Sequence, residues 1–244
     1  MVELTANAVL PAERRDITLE TSDGLTLVGE LALPVQDPPR ATIICVHPLP
    51  THGGMMDSHL FRKMAWRLPA LADIAVLRFN TRGTSSARGT SEGVFDHAQG
   101  ETRDLAAAVE AVHDWGLPDP WLVGWAFGTD VILRGARMLP GIAGVFLLSP
   151  PLRYTTVDEL TAWATSTVPV IALIPEFDDF LPPDRAREAF GGIVEVDVVE
   201  GAKHLWVGEN FVRIAMNRLA AAIEPGRMPL PTNWDGPIER WSDV

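Results

Sequence analysis

From Ala41 to Ile223 the sequence alternates short apolar, β-branched runs with segments of helical period, and this alternation limits the chain to a sheet of mostly parallel strands. Parallel neighbours need long crossovers, normally helices, so such a chain becomes a twisted sheet with helices on both faces. ATIICVH, IAVLRFN, WLVGW, IAGVFLLS, PVIALI and IVEVDVV read as strands. DSHLFRKMAWRLPAL, with Asp57 or Ser58 as its N-cap, ETRDLAAAVEAVHDW, GTDVILRGARML, VDELTAWAT, DRAREAF and FVRIAMNRLAAAI read as helices. Upstream, RDITLET and LTLVGELAL flank Ser22-Asp23-Gly24, which predicts an antiparallel hairpin through a tight Asp-Gly turn. The expected class is therefore α/β, with eight strands in one sheet.

The length of 244 residues fits one domain, expected over 15–223, with an arm over 1–14. The last stretch, 224–244, is too rich in Pro and Gly for a helix and is expected to lie extended on the domain through Trp234 and Trp241. Between Ser149 and Pro169 there is room for one helix only, so no cap domain is expected there.

Twenty basic against 32 acidic residues give a formal charge of −12, which repels phosphate backbones and anionic lipid and argues against nucleic acid and membrane as partners. A single cysteine, Cys45, excludes an internal disulfide. With no signal-like start and no long apolar span, a cytoplasmic protein is expected. His59, His97 and His113 lack a second ligand at metal spacing, so neither metal nor cofactor is expected.

Strand WLVGW runs directly into Gly124-Trp125-Ala126-Phe127-Gly128 and then a helix. This is the context of a nucleophile elbow, a strained strand-to-helix turn whose flanking glycines allow close backbone approach. Strand PVIALI ends in Pro175-Glu176-Phe177-Asp178-Asp179, which places carboxylates at a strand's C-terminal end, where open α/β sheets keep their sites. IVEVDVV is followed by Gly201-Ala202-Lys203-His204. Elbow, acid and histidine follow in the order of a hydrolytic triad.

Two further segments sharpen the reading: His47-Pro48-Leu49-Pro50-Thr51-His52-Gly53-Gly54-Met55-Met56-Asp57 after strand ATIICVH, and Asn80-Thr81-Arg82-Gly83 after IAVLRFN. Together with the elbow they make the chain, over roughly Arg15 to Ile223, resemble the α/β-hydrolase superfamily, in particular its small, lidless, dienelactone-hydrolase-like esterases. The resemblance implies Ala126 in the nucleophile's place, Asp178 as orienting acid with Asp179 as competitor, and His204 as general base. It places the oxyanion between the backbone N–H groups of Leu49 and Phe127. The family commonly has glycine where Pro175 stands. The activity implied is hydrolysis of a small acyl compound: carboxylic ester, thioester or lactone.

His47, His52, Met55, Met56, Trp125 and Trp206 fall in segments that converge on the sheet's C-terminal edge and are candidates for the substrate pocket. Arg82 and Arg88 are read as a solvated loop face, with an anionic substrate group as the alternative, whereas Glu101, Asp104 and Asp130 open helices and are assigned no chemistry.

A methyl group cannot attack a carbonyl, so the chain as written is expected to be inactive. None of Thr129, Ser149 and Cys45 occupies the elbow. An introduced Ser→Ala change and a natural pseudohydrolase that binds or scaffolds are the two explanations. The retained acid and base favour the first. A homodimer formed through the Trp-containing tail is a further reading.

Overall fold

The computed structural model describes residues 1–239; Trp241, expected to help pack the tail, lies outside them. Its centre is an eight-stranded sheet. In chain order the strands are β1 (Glu13–Glu20), β2 (Thr26–Leu33), β3 (Ala41–Val46), β4 (Ile74–Phe79), β5 (Pro120–Trp125), β6 (Gly144–Leu148), β7 (Val170–Phe177) and β8 (Glu195–Lys203). Across the sheet they run β1-β2-β4-β3-β5-β6-β7-β8. β1 and β2 are antiparallel, β2 joins β4 antiparallel, and every pairing from β4 to β8 is parallel. The order reverses at β3 and β5, the switch point where such sheets open a crevice above their strand ends.

Helices α1 (His59–Ala72), α2 (Glu101–Asp114), α3 (Phe127–Gly135), α4 (Val157–Ala162), α5 (Pro183–Phe190) and α6 (Glu209–Ile223) supply the crossovers. The central strands β3 to β6 are buried at every position because helices cover both faces, whereas the edge strands β1 and β8 are largely polar and exposed. Alternate residues sort to opposite sides: Ile44 and Val46 pack with α2, α3, α4 and α5, whereas Ile43 and Cys45 pack with α1 and α6. Burial raises the Cys45 thiol to about 12, so it stays protonated and unreactive. Among the described residues no helix is long and apolar enough to cross a membrane. Between β6 and β7 the only α-helix is α4, so nothing lids the sheet's C-terminal edge there.

Three local expectations change. In the β1–β2 turn only Gly24 has a positive φ, 82°, and the Leu25 N–H is taken by the Thr21 hydroxyl, so the connection is a wider loop than a two-residue Asp-Gly turn. Ser58 is the N-cap position of α1, but its Oγ accepts from the Met55 N–H instead of capping, and Asp57 pairs with Arg78. Arg82 and Arg88 are neither a solvated face nor poised for substrate. Arg82 is buried between Asp104 and Asp23, and Arg88 pairs with Glu30 and Asp16. Loop composition concealed this because the partners lie on other elements. The terminal segments meet each other: Val2–Glu3 pairs with Asn233–Trp234, and Val9 bridges to Glu239.

Candidate active site

The elbow forms where β5 meets α3. Ala126 has φ 47° and ψ −114°, a conformation that costs a non-glycine residue on the order of 1–3 kcal/mol and persists only when its surroundings enforce it. They do: its N–H donates to Leu148 O (2.9 Å), and its carbonyl accepts from the N–H (2.9 Å) and hydroxyl (2.6 Å) of Thr129. A Cβ at Gly128 would lie 1.9 Å from Val46 O, and one at Gly124 2.8 Å from the Gly128 backbone, so only glycine fits on either side. Strand and helix backbones therefore touch, and the position-126 side chain is lifted to the crevice.

His204 follows β8 and Asp178 follows β7. His204 Nδ1 lies 2.8 Å from Asp178 Oδ2; the carboxylate accepts, so Nδ1 carries the proton and Nε2 is left as an acceptor. The other Asp178 oxygen accepts from the N–H groups of Phe180 (2.9 Å) and Leu181 (3.1 Å). Burial pushes the Asp178 carboxyl up, but the hydrogen bond and charge of His204 and these two N–H groups outweigh it and hold it below the ordinary carboxylate value. Asp179 is exposed and has no such contact. The β7–β8 register breaks between Pro175 and Phe177, and the Glu176 carboxylate ties the two strand ends by accepting from Gly201 N–H (2.7 Å).

The backbone of His204 is clamped as well. Its carbonyl accepts from the Trp125 indole (3.2 Å) and the Ser149 hydroxyl (3.2 Å), and Ser149 Oγ accepts from the Trp206 indole (2.9 Å). Trp206, fully buried, sits at φ 53°, a genuine outlier for a bulky residue. Trp125 and Trp206 thus hold the histidine loop from beneath and do not line the cavity, contrary to expectation. Ser149 had no signal in the sequence beyond following a strand. Ser149→Ala should cost about 1–3 kcal/mol in a denaturant titration, because the Trp206 indole loses its acceptor in a dry site; an unchanged midpoint would show the clamp to be idle.

His47 is fully buried, and burial lowers its imidazole to about 4. Nδ1–H donates to Pro48 O (2.7 Å), and Nε2 accepts from Thr81 N–H (3.0 Å). It thereby ties the loop carrying Leu49 to the loop after β4, and is itself no pocket wall. Because the folded value lies below the unfolded one, this group's contribution is fully present above pH ~6.5 and is lost as pH falls towards 4, by about 3 kcal/mol across that window. Urea unfolding of the unaltered chain and His47→Gln between pH 7.5 and 4.5 should show the steeper loss in the unaltered chain. Parallel curves would mean the imidazole is not held neutral.

A cavity of about 70 Å³ joins these parts, bordered by Ala126, His204, Leu49, Phe127, Tyr154 and Phe180 among others. The Phe180 ring lies 4.4 Å from that of His204. Among the described residues the N–H groups of Leu49 and Phe127 have no protein acceptor. Phe127 opens α3, where orphan N–H groups and the helix dipole favour negative charge. His52 is exposed and Met55 half-buried, and neither borders the cavity; Met56 is buried, its N–H held by Asn80. A larger groove of about 770 Å³, by β8, α6 and Met228, is remote from these groups. Among the described residues no cluster of potential ligands could hold a metal.

Neither a family model nor a curated protein matches the sequence. Solved structures do. A lidless α/β serine hydrolase from Xanthomonas campestris is 27% identical, with a TM-score of 0.68 over 89% of this chain and 95% of the other. An α/β serine hydrolase homologue from Coxiella burnetii is 24% identical, with a TM-score of 0.70 over 85% and 96%. An esterase from Pyrococcus furiosus is 18% identical, with a TM-score of 0.72 over 89% and 92%. The protein thus has the α/β-hydrolase fold in its lidless form, as the motifs led us to expect.

Proposed function

We propose that this chain is a serine-type acyl hydrolase, acting on carboxylic esters, thioesters or lactones, in a form whose nucleophile is replaced by the methyl of Ala126. The observation that carries the reading is the Asp178–His204 pair, 2.8 Å apart, beside a cavity shared with Ala126 and two unpartnered N–H donors. The likeness to the lidless serine hydrolase from Xanthomonas campestris supports it.

With serine at 126, its hydroxyl attacks the acyl carbon and its proton passes to His204 Nε2, while Asp178 stabilises the resulting imidazolium. The carbonyl oxygen, now anionic, accepts from the N–H groups of Leu49 and Phe127. Collapse of the tetrahedral species breaks the bond to the alcohol or thiol, which leaves with the proton from His204. Water then attacks the acyl-serine, giving its proton to His204, and the carboxylic acid departs as the serine is reprotonated.

An alanine at 126 forms no acyl-enzyme, so the chain as it stands is inactive by this route. Retention of the acid, the base and the oxyanion donors favours an introduced Ser→Ala change, because a non-catalytic protein has no chemical need of all three. The test is Ala126→Ser beside the unaltered chain, on acyl esters and with a fluorophosphonate label. The expected partner is a small acyl compound rather than nucleic acid or an anionic membrane, both of which a formal charge of −12 repels.

A further inference from the structure

Asp130 lies four residues past Ala126 on α3 and is fully buried, yet it takes no part in the triad geometry. Its carboxylate instead gathers the loop after β6. Oδ1 accepts from the N–H groups of Tyr154 (3.2 Å) and Thr155 (2.9 Å) and from the Thr155 hydroxyl (2.6 Å), and Oδ2 accepts from Arg153 N–H (3.4 Å). Arg134, also on α3, donates to Tyr154 O (2.8 Å). The segment carrying Tyr154 is thus fastened twice to the helix that begins at the elbow.

The Tyr154 ring borders the cavity beside Ala126 and is backed by an aromatic cluster: Phe127 at 5.7 Å, His97 at 5.8 Å and Phe95 at 6.3 Å between ring centres. Such a wall cannot yield cheaply, because Tyr154 meets Phe127 and Phe95 edge to face and its backbone is pinned. The cavity of about 70 Å³ is less than half the roughly 150 Å³ of apolar space that takes one benzene ring, so it admits a chain of only a few carbons. The leaving group departs to solvent in the first half-reaction, whereas the acyl group stays attached through the second. The walled space beside Ala126 therefore suits the acyl group.

We propose that Tyr154, held in place by Asp130, is the residue that limits acyl length, so that the substrates of this site are short-chain acyl compounds of roughly two to four acyl carbons. This rests on the hydrolase reading above, and the test separates the two. Ala126→Ser, alone and with Tyr154→Ala, Tyr154→Phe or Asp130→Asn, is assayed on 4-nitrophenyl esters from acetyl to octanoyl and on acetyl esters of alcohols of increasing length. The unaltered Ala126 chain is titrated with the same acyl series, following the amide resonances of Phe127 and Tyr154, which reads binding without turnover.

In Ala126→Ser the butyryl ester should exceed the octanoyl ester at least ~100-fold in kcat/KM, since each methylene a pocket cannot admit costs roughly tenfold or more. Tyr154→Ala should bring that ratio below ~10, mostly by raising kcat/KM on octanoyl, with Tyr154→Phe unchanged and Asp130→Asn in between. Short esters should shift the two amides in the unaltered chain and octanoyl should not. Equal rates across the acyl series, a cutoff only in the alcohol series, or a cutoff untouched by Tyr154→Ala would each overturn the assignment even with an active hydrolase. Absence of both ester binding and turnover would overturn the hydrolase reading and this one with it.

Discussion

Ala126→Ser is expected to raise kcat/KM on short acyl esters by roughly 10⁴-fold or more over the unaltered chain, because a triad without its nucleophile keeps only the modest acceleration of its oxyanion donors and binding site. One oxygen atom does this because the other parts are in place. His204 Nδ1 is fixed as the protonated nitrogen by Asp178 at 2.8 Å, which leaves Nε2 as an acceptor, and among the described residues the N–H groups of Leu49 and Phe127 have no acceptor; on the hydrolase reading these supply the base and the oxyanion donors. Serine should be accepted without disturbance, since it meets the same backbone strain at φ 47° as alanine and adds one atom at the edge of a cavity. Matching circular dichroism and unfolding midpoints would establish that. The hydrolase reading predicts turnover and covalent fluorophosphonate labelling in the serine form only. If neither form reacts with any ester, the chain is a ligand-binding protein that uses the same cleft.

The second large effect concerns stability. Arg82→Met should destabilise the fold by about 3–5 kcal/mol, the range for removing one partner of a buried ion pair. Asp104 is fully buried, and its oxygens accept from Arg82 Nε (2.9 Å), Arg82 Nη2 (2.7 Å) and the Arg82 backbone N–H (2.8 Å). No other cation pairs with it among the described residues, whereas Asp23 keeps Arg103. Burial already holds the Asp104 carboxyl above its ordinary value despite Arg82, and without Arg82 it rises further. A raised folded value confers stability below the unfolded pKa that is lost as pH rises. The deficit of Arg82→Met should therefore shrink towards pH 4 and widen towards neutrality. Denaturant titrations at pH 4.5 and pH 7.5 check both size and sign. A deficit under 1 kcal/mol, or one that does not vary with pH, would mean that water reaches Asp104 and the pair is not truly buried.

The two arginines show how far a local reading goes. Arg82 and Arg88 stand in a loop full of Gly, Ser and Thr, a composition that suggests solvent. Their partners Asp104, Asp23, Glu30 and Asp16 lie on α2, the β1–β2 turn, β2 and β1, brought near only by the sheet order. Asp130 was hidden in the same way: on the sequence it is an acid in a helix's first turn, and in space it anchors Tyr154. Trp125 and Trp206 converge on the site as their segments suggest, but their indoles face downward to the His204 carbonyl and to Ser149.

What the sequence determined by itself is the alternation of strands and helices, the eight-stranded α/β sheet and the elbow at Ala126, together with the strand ends that carry Asp178 and His204. Each of these follows from short-range physics: period-2 and period-3.6 burial, a glycine-flanked turn, and loops that must fall at strand ends. Only the tertiary structure decided which carboxylate meets His204, what holds that histidine's backbone, which arginines are buried, and which ring walls the cavity. Those outcomes depend on distances of a few ångströms between residues far apart in the chain, where the register of β7 against β8 and the packing of α3 under the loop after β6 choose among partners that local sequence leaves equivalent.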